Sequence, residues 1–120
     1  PLQIARQFMQ IDKQEALTAI DLLLINSKSK FAGARLDADV ENGELSLTCG
    51  GVVLKIPARF NDIASGKIGG INLLYLKDML TACQEDVVKI YWDDKATGLV
   101  CFFVLDSGQI IDIVMSCKVD

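Results

Sequence analysis

The sequence predicts an α+β domain in which a β-α-β-β(-β) unit occurs twice, with two helices on one face of an antiparallel sheet. Three observations predict it. Apolar residues recur at helical spacing in two separate stretches. Several stretches alternate apolar and polar residues, as half-buried strands do. Between the alternating stretches stand the turn dipeptides Asn42-Gly43 and Gly50-Gly51.

Taken in order, Gln7 to Ile11 reads as a short strand. Asp12 then fits a helix N-cap, with Glu15 three residues later in a capping-box-like pattern. From Lys13 to about Asn26, residues Ala16, Leu17, Ile20, Leu23 and Leu24 share one face, and Lys13, Gln14, Thr18 and Asp21 the other. Ser27 to Lys30 is a polar exit. Ala34 to Val40 alternates and turns at Asn42-Gly43. Glu44 to Cys49 follows, with Leu45, Leu47 and Cys49 on one side, and turns at Gly50-Gly51. Val52 to Phe60 is a third strand, which Pro57 confines to an edge or a strand end.

Asn61 to Gly70 reads as a connection, with a short strand near Lys67 to Ile71. Asn72 is a plausible cap for a second helix over Leu73 to Cys83, whose apolar stripe is Leu76, Met79 and Leu80. Three strands close the chain: Asp86 to Trp92, Leu99 to Leu105 and Gln109 to Val119. Turns fall at Asp93 to Gly98 and at Asp106-Ser107-Gly108.

Residues 1–120 suit a single domain. With 51% apolar and 23% charged residues, the composition is that of a globular chain able to bury a core without metals or disulfides. The net charge of −4 lacks the basic excess of a free-standing nucleic-acid binder, so any DNA contact must come from a local patch or from many copies together. No apolar run approaches the roughly 20 residues of a membrane span. No signal-peptide pattern is present, and Pro1 reads as a trimmed or internal start.

Candidate chemistry is sparse. Cys49, Cys83, Cys101 and Cys117 form no CxxC pair, and the chain has no histidine, so zinc spacings are absent. Each lies in an apolar run, and buried free thiols suited to a reducing cytoplasm are expected. Asp93-Asp94 and Asp106 fall in turns, where Asp bonds its own backbone, and no paired carboxylates point to acid–base work. Gly50-Gly51 and Gly69-Gly70 lack any phosphate-loop pattern. Trp92, Phe102 and Phe103 sit in strands and read as core. Neither catalysis nor a cofactor is expected.

Ile71-Asn72-Leu73-Leu74-Tyr75-Leu76-Lys77-Asp78-Met79-Leu80-Thr81-Ala82 resembles the second-helix signature of bacterial DNA polymerase sliding clamps. Phe31 to Leu36 resembles the segment entering the first β meander of the last clamp domain, and Ile113 to Val119 resembles its C-terminal tail. The likeness covers essentially the whole chain as one domain, the third fitting best.

The resemblance implies a ring of six such domains, helices lining the hole and sheets outside. Such rings tether replication proteins to DNA and do no chemistry. It also implies a partner-peptide pocket that here would involve Ala96, Gly98, Ile113, Met115, Cys117 and Lys118. The family tail carries a proline where Ser116 stands, a methionine at Cys117 and an arginine at Lys118. The smaller Cys117 shrinks the apolar contact, and burial contributes about 25 cal/mol per Å². The same resemblance directs Lys13, Lys28, Lys30 and Lys77 at DNA. These four per copy, repeated around a ring, would make a positive bore even on an acidic protein.

Three functions fit these residues. One is a clamp-like module in DNA replication, assembling with other clamp domains or with itself. The second is a single-domain decoy that binds a full clamp or another replication protein. The third is a small ligand-binding domain on a similar fold.

Overall fold

A computed structural model describes residues 5–26, 32–61, 63–93, 102–106 and 111–115. In chain order the elements are β1 (Ala5–Asp12), α1 (Lys13–Asn26), β2 (Gly33–Asp39), β3 (Glu44–Cys49) and β4 (Val52–Phe60). They continue as β5 (Gly66–Asn72), α2 (Leu73–Ala82), β6 (Val87–Asp93), β7 (Phe102–Asp106) and β8 (Ile111–Met115). The β-α-β-β-β unit thus occurs twice, and both helices follow directly from a strand.

The strands form one curled antiparallel sheet in the order β5-β2-β3-β4-β1-β6-β7-β8. The two units interlock. β1 pairs with β4 of its own unit and with β6 of the other, while β5 pairs with β2. α1 therefore runs across the sheet from β1 to β2, and α2 returns from β5 to β6, so the helices point in opposite senses. They pack on each other and on the same face of the sheet.

Alternation fixes which side chains lie beneath the helices. In β2 these are Ala34, Leu36 and Ala38, and in β3 Leu45, Leu47 and Cys49, all buried. Met9 and Ile11 from β1 join them, as do Val88, Ile90 and Trp92 from β6. Ala16, Ala19, Ile20 and Leu23 of α1 and Leu73, Leu76 and Leu80 of α2 close the core from above. Cys49 and Cys83 are buried, and among the described residues neither forms a disulfide. Cys101 and Cys117 fall outside the described side chains.

Local chemistry explains the boundaries. Asp12 Oδ1 accepts the Glu15 backbone N–H at 2.9 Å, capping α1. Asn72 Oδ1 accepts from the N–H groups of Leu74 at 2.9 Å and Tyr75 at 3.4 Å, capping α2. The β3–β4 hairpin turns on Gly50 and Gly51, both with positive φ (57° and 84°), as the two-residue turn that matches strand twist requires. The strand expected near Lys67 to Ile71 is longer at both ends, and it pairs along β2 with a register shift between Leu36 and Asp37. The expected turns after Asp93 and after Asp106 lie outside the described residues.

Candidate protein and nucleic-acid interfaces

β8 forms the last described strand of the sheet. Its backbone pairs with β7, Ile113 opposite Val104 and Met115 opposite Phe102. The other residues of the expected peptide pocket, Ala96, Gly98, Cys117 and Lys118, lie outside the described residues.

β4 offers a second surface. β3 pairs with it over Val52–Pro57, whereas β1 takes only Ala58, Arg59 and Phe60 on the opposite side. Among the described residues, no strand pairs with the outer edge of residues 52–57. Pro57 stands where that pairing stops. The Ala58 N–H bonds Gly43 O at 2.8 Å, on the β3 side, so the Pro57 nitrogen faces the outer edge. A missing donor disturbs no ladder there. Val53 on this stretch is half exposed. Where β1 parts from β4, a shallow hollow of about 340 Å³ is lined by Gln10, Asp12, Pro57, Arg59 and Val87 among others.

The helix pair is the third surface. Lys13 opens α1, and its Nζ donates to the Cys83 carbonyl oxygen at 2.9 Å, tying the start of α1 to the end of α2. Lys77 Nζ lies 2.8 Å from Asp21 Oδ1, a bridge between the helices with both side chains about half exposed. Lys28 and Lys30 lie outside the described residues. The structure thus brings Lys13 and Lys77 to the helix pair, each already holding a partner. Glu15, Asp21 and Asp78 are exposed on the same helices.

Leu22, Ile25, Leu74 and Tyr75 are also exposed there, at 45, 77, 51 and 61%. The helical period set Leu23 and Leu24 on the inner face with Ala16 and Ile20, and the packing of α1 agrees: Leu23 is buried, Leu24 packs partly buried against the core, and Leu22 and Ile25 stay outside.

Among the described residues, no three His, Cys, Asp or Glu side chains are placed to hold a metal ion. Asp39, in the β2–β3 turn, is held below the usual 3.8 by hydrogen bonds from the side chain and then the backbone N–H of Asn42, with Lys55 adding attraction against a small effect of burial. That is turn chemistry.

An interlocked double β-α-β-β-β sheet with two helices on one face is the fold of a single sliding-clamp domain. The solved structures bear this out. DNA polymerase III subunit beta from Pseudomonas aeruginosa superposes with a TM-score of 0.80 at 19% identity, over 98% of this chain and 32% of that one. The DnaN sliding clamp from Bartonella birtlesii bound to griselimycin gives 0.80 at 19%, over 99% and 32%. The beta subunit from Thermotoga maritima gives 0.79 at only 10%, over 98% and 32%. The chain therefore spans about a third of the length of these proteins. No protein-family model matches it, and no curated protein does.

Proposed function

We propose that the chain is a non-enzymatic, clamp-like module of DNA replication, acting as a processivity and protein-docking element in the cytoplasm. The observation that carries this reading is the sliding-clamp domain fold over essentially the whole chain. In the ring form, copies or other clamp domains join through strand edges. The outer edge of residues 52–57, which no strand pairs with among the described residues, supports this, because an open edge is a template for a neighbouring strand. The helices then face duplex DNA, with Lys13, Lys28, Lys30 and Lys77 as the available cations. Partner peptides seat beside Ala96, Gly98, Ile113, Met115, Cys117 and Lys118. Among the described residues, no helix is long and apolar enough to cross a membrane.

A second reading is a monomeric regulator that binds another clamp or replication protein. It is favoured by the helix pair, where Lys13 and Lys77 are already engaged and four apolar side chains are exposed.

Light scattering across a concentration series separates the two. A mass of about six chains supports the self-closing ring. A monomer at every concentration rejects that ring, and binding of the monomer to a full-length clamp then supports the regulator.

A further inference from the structure

We propose, resting on the reading that copies join through strand edges, that two copies of this chain pair symmetrically along β4. Their outer edges meet antiparallel about a two-fold axis at Leu54, which joins two sheets into one.

The backbone fixes which groups the edge offers. The Ala58 N–H turns toward β3, where it bonds Gly43 O. Polar groups alternate sides along a strand, so Ile56, Leu54 and Val52 turn theirs toward β3 as well. Val53 and Lys55 turn both N–H and C=O outward, and Pro57 turns out a carbonyl without a donor. The open stretch is short. The Gly50-Gly51 turn bounds it at one end, and at the other β1 takes up pairing from Ala58.

A second copy fits that stretch in one register. With Leu54 opposite Leu54, each Val53 exchanges both backbone bonds with Lys55 of the second copy. The outward N–H groups of Val53 and Lys55 are then all bonded, and Pro57 lies beyond these pairs. Centred on Lys55 instead, the pairing would set like charges face to face and leave the Val53 carbonyl opposite Pro57 without a donor. Centred on Val53, it would drive Lys55 onto the Gly50-Gly51 turn.

The side chains agree with this register. On the helix side, Val52 and Leu54 are half-buried against the core, and Leu54 meets its own copy where antiparallel strands approach most closely. On the outer side, Val53 is 52% exposed and lies against the stem of Lys55 of the second copy. α1 packs over β4, while α2 packs on β5 and β8. Helical rotation turns the exposed Leu22 to the flank of α1 away from α2, which borders the open edge. The charged groups of this border are Lys55 and Arg59, with Asp12 and Glu15. Both signs are present in equal number, so a like copy meets no net repulsion. Behind them on the β3 side, Glu44 stands opposite Pro57, and Asp39 attracts Lys55.

Light scattering across a concentration series should show the mass rising from one chain toward two. Lys55→Pro removes an outward N–H and leaves the β3 ladder whole, so it should keep its fold by circular dichroism and weaken the dimer at least about tenfold. Leu54→Cys should form a covalent dimer under mild oxidation, because opposed residues of this kind stand about 4.5 Å apart at Cα, within the reach of a disulfide. The unsubstituted chain and Val53→Cys, which this register holds away from its own copy, should not. Should Leu54→Cys fail to fold, Lys55→Pro decides alone. A monomer at every concentration overturns the pair. So does a dimer that Lys55→Pro leaves intact, or a folded Leu54→Cys that dimerises without cross-linking. A mass of six chains without the cross-link overturns the symmetric pair and leaves the ring reading standing. A mass of two with the cross-link supports the pair and rejects the head-to-tail ring, because the symmetric contact occupies the β4 edge.

Discussion

Lys77 Nζ lies 2.8 Å from Asp21 Oδ1, and this pair joins two helices that belong to different halves of the chain. Both side chains are about half exposed, at 41 and 50%. Exposed pairs of this kind contribute about 0–1 kcal/mol. The pair's larger effect is electrostatic, since it neutralises a cation on the helix face. Asp21→Asn should therefore change unfolding free energy by less than about 1 kcal/mol in a urea titration. It should also measurably strengthen binding to duplex DNA at low salt, because Lys77 is released. Unchanged DNA binding would show that Lys77 does not govern the charge of this face.

Adjacent residues on α1 give a sharper contrast. Leu23 is fully buried, and Leu22 is 45% exposed. Leu23→Ala should cost about 2–5 kcal/mol, the range for a buried leucine whose site cannot collapse completely. Leu22→Ala should stay within about 0.5 kcal/mol. Urea unfolding of the two variants decides the matter, and similar losses would mean that the α1 face is assigned wrongly.

This pair also shows what the sequence could and could not reveal. Asp12 with Glu15 marked the start of α1, and Leu45, Leu47 and Cys49 marked the inner face of β3, because capping and alternation are local signals. β5 was visible only in part. Gly66, Gly69 and Gly70 have no side chain to alternate, and the register shift opposite Leu36 and Asp37 breaks the period. At the candidate interfaces the cations were legible as residues, but their partners were not. Lys13 meets Cys83, and Lys77 meets Asp21, only because β1 and β5 send their helices back across one sheet. Nothing within either helix stretch encodes that encounter.

The cap of α2 should be measurable by itself. Asn72 Oδ1 is the acceptor for two N–H groups at the start of the helix. Asn72→Ala should lower stability by about 1 kcal/mol, and Asn72→Ser should recover most of it, because serine supplies an acceptor at the same position. Thermal unfolding followed by circular dichroism reads both. Equal losses for alanine and serine would place the effect outside capping.

Acid should loosen the β2–β3 turn. Asp39 binds Asn42 through both carboxylate oxygens, at 3.2 Å from the backbone N–H and 2.7 Å from the side-chain amide. These bonds favour the charged form, so the folded-state pKa lies below the usual 3.8. A carboxyl group with a depressed folded pKa adds stability above its unfolded pKa. That contribution falls away as the pH drops through the folded value, when the native state also takes up the proton. The group lies at the surface, so the effect is a local one, on the turn. Amide exchange at Asn42 and Gly43 should be slow above pH 3.8 relative to an Asp39→Ala variant, after correction for intrinsic rates. The two proteins should converge as the pH falls below that value. A difference that persists undiminished in acid would mean that the carboxylate is not what holds the turn.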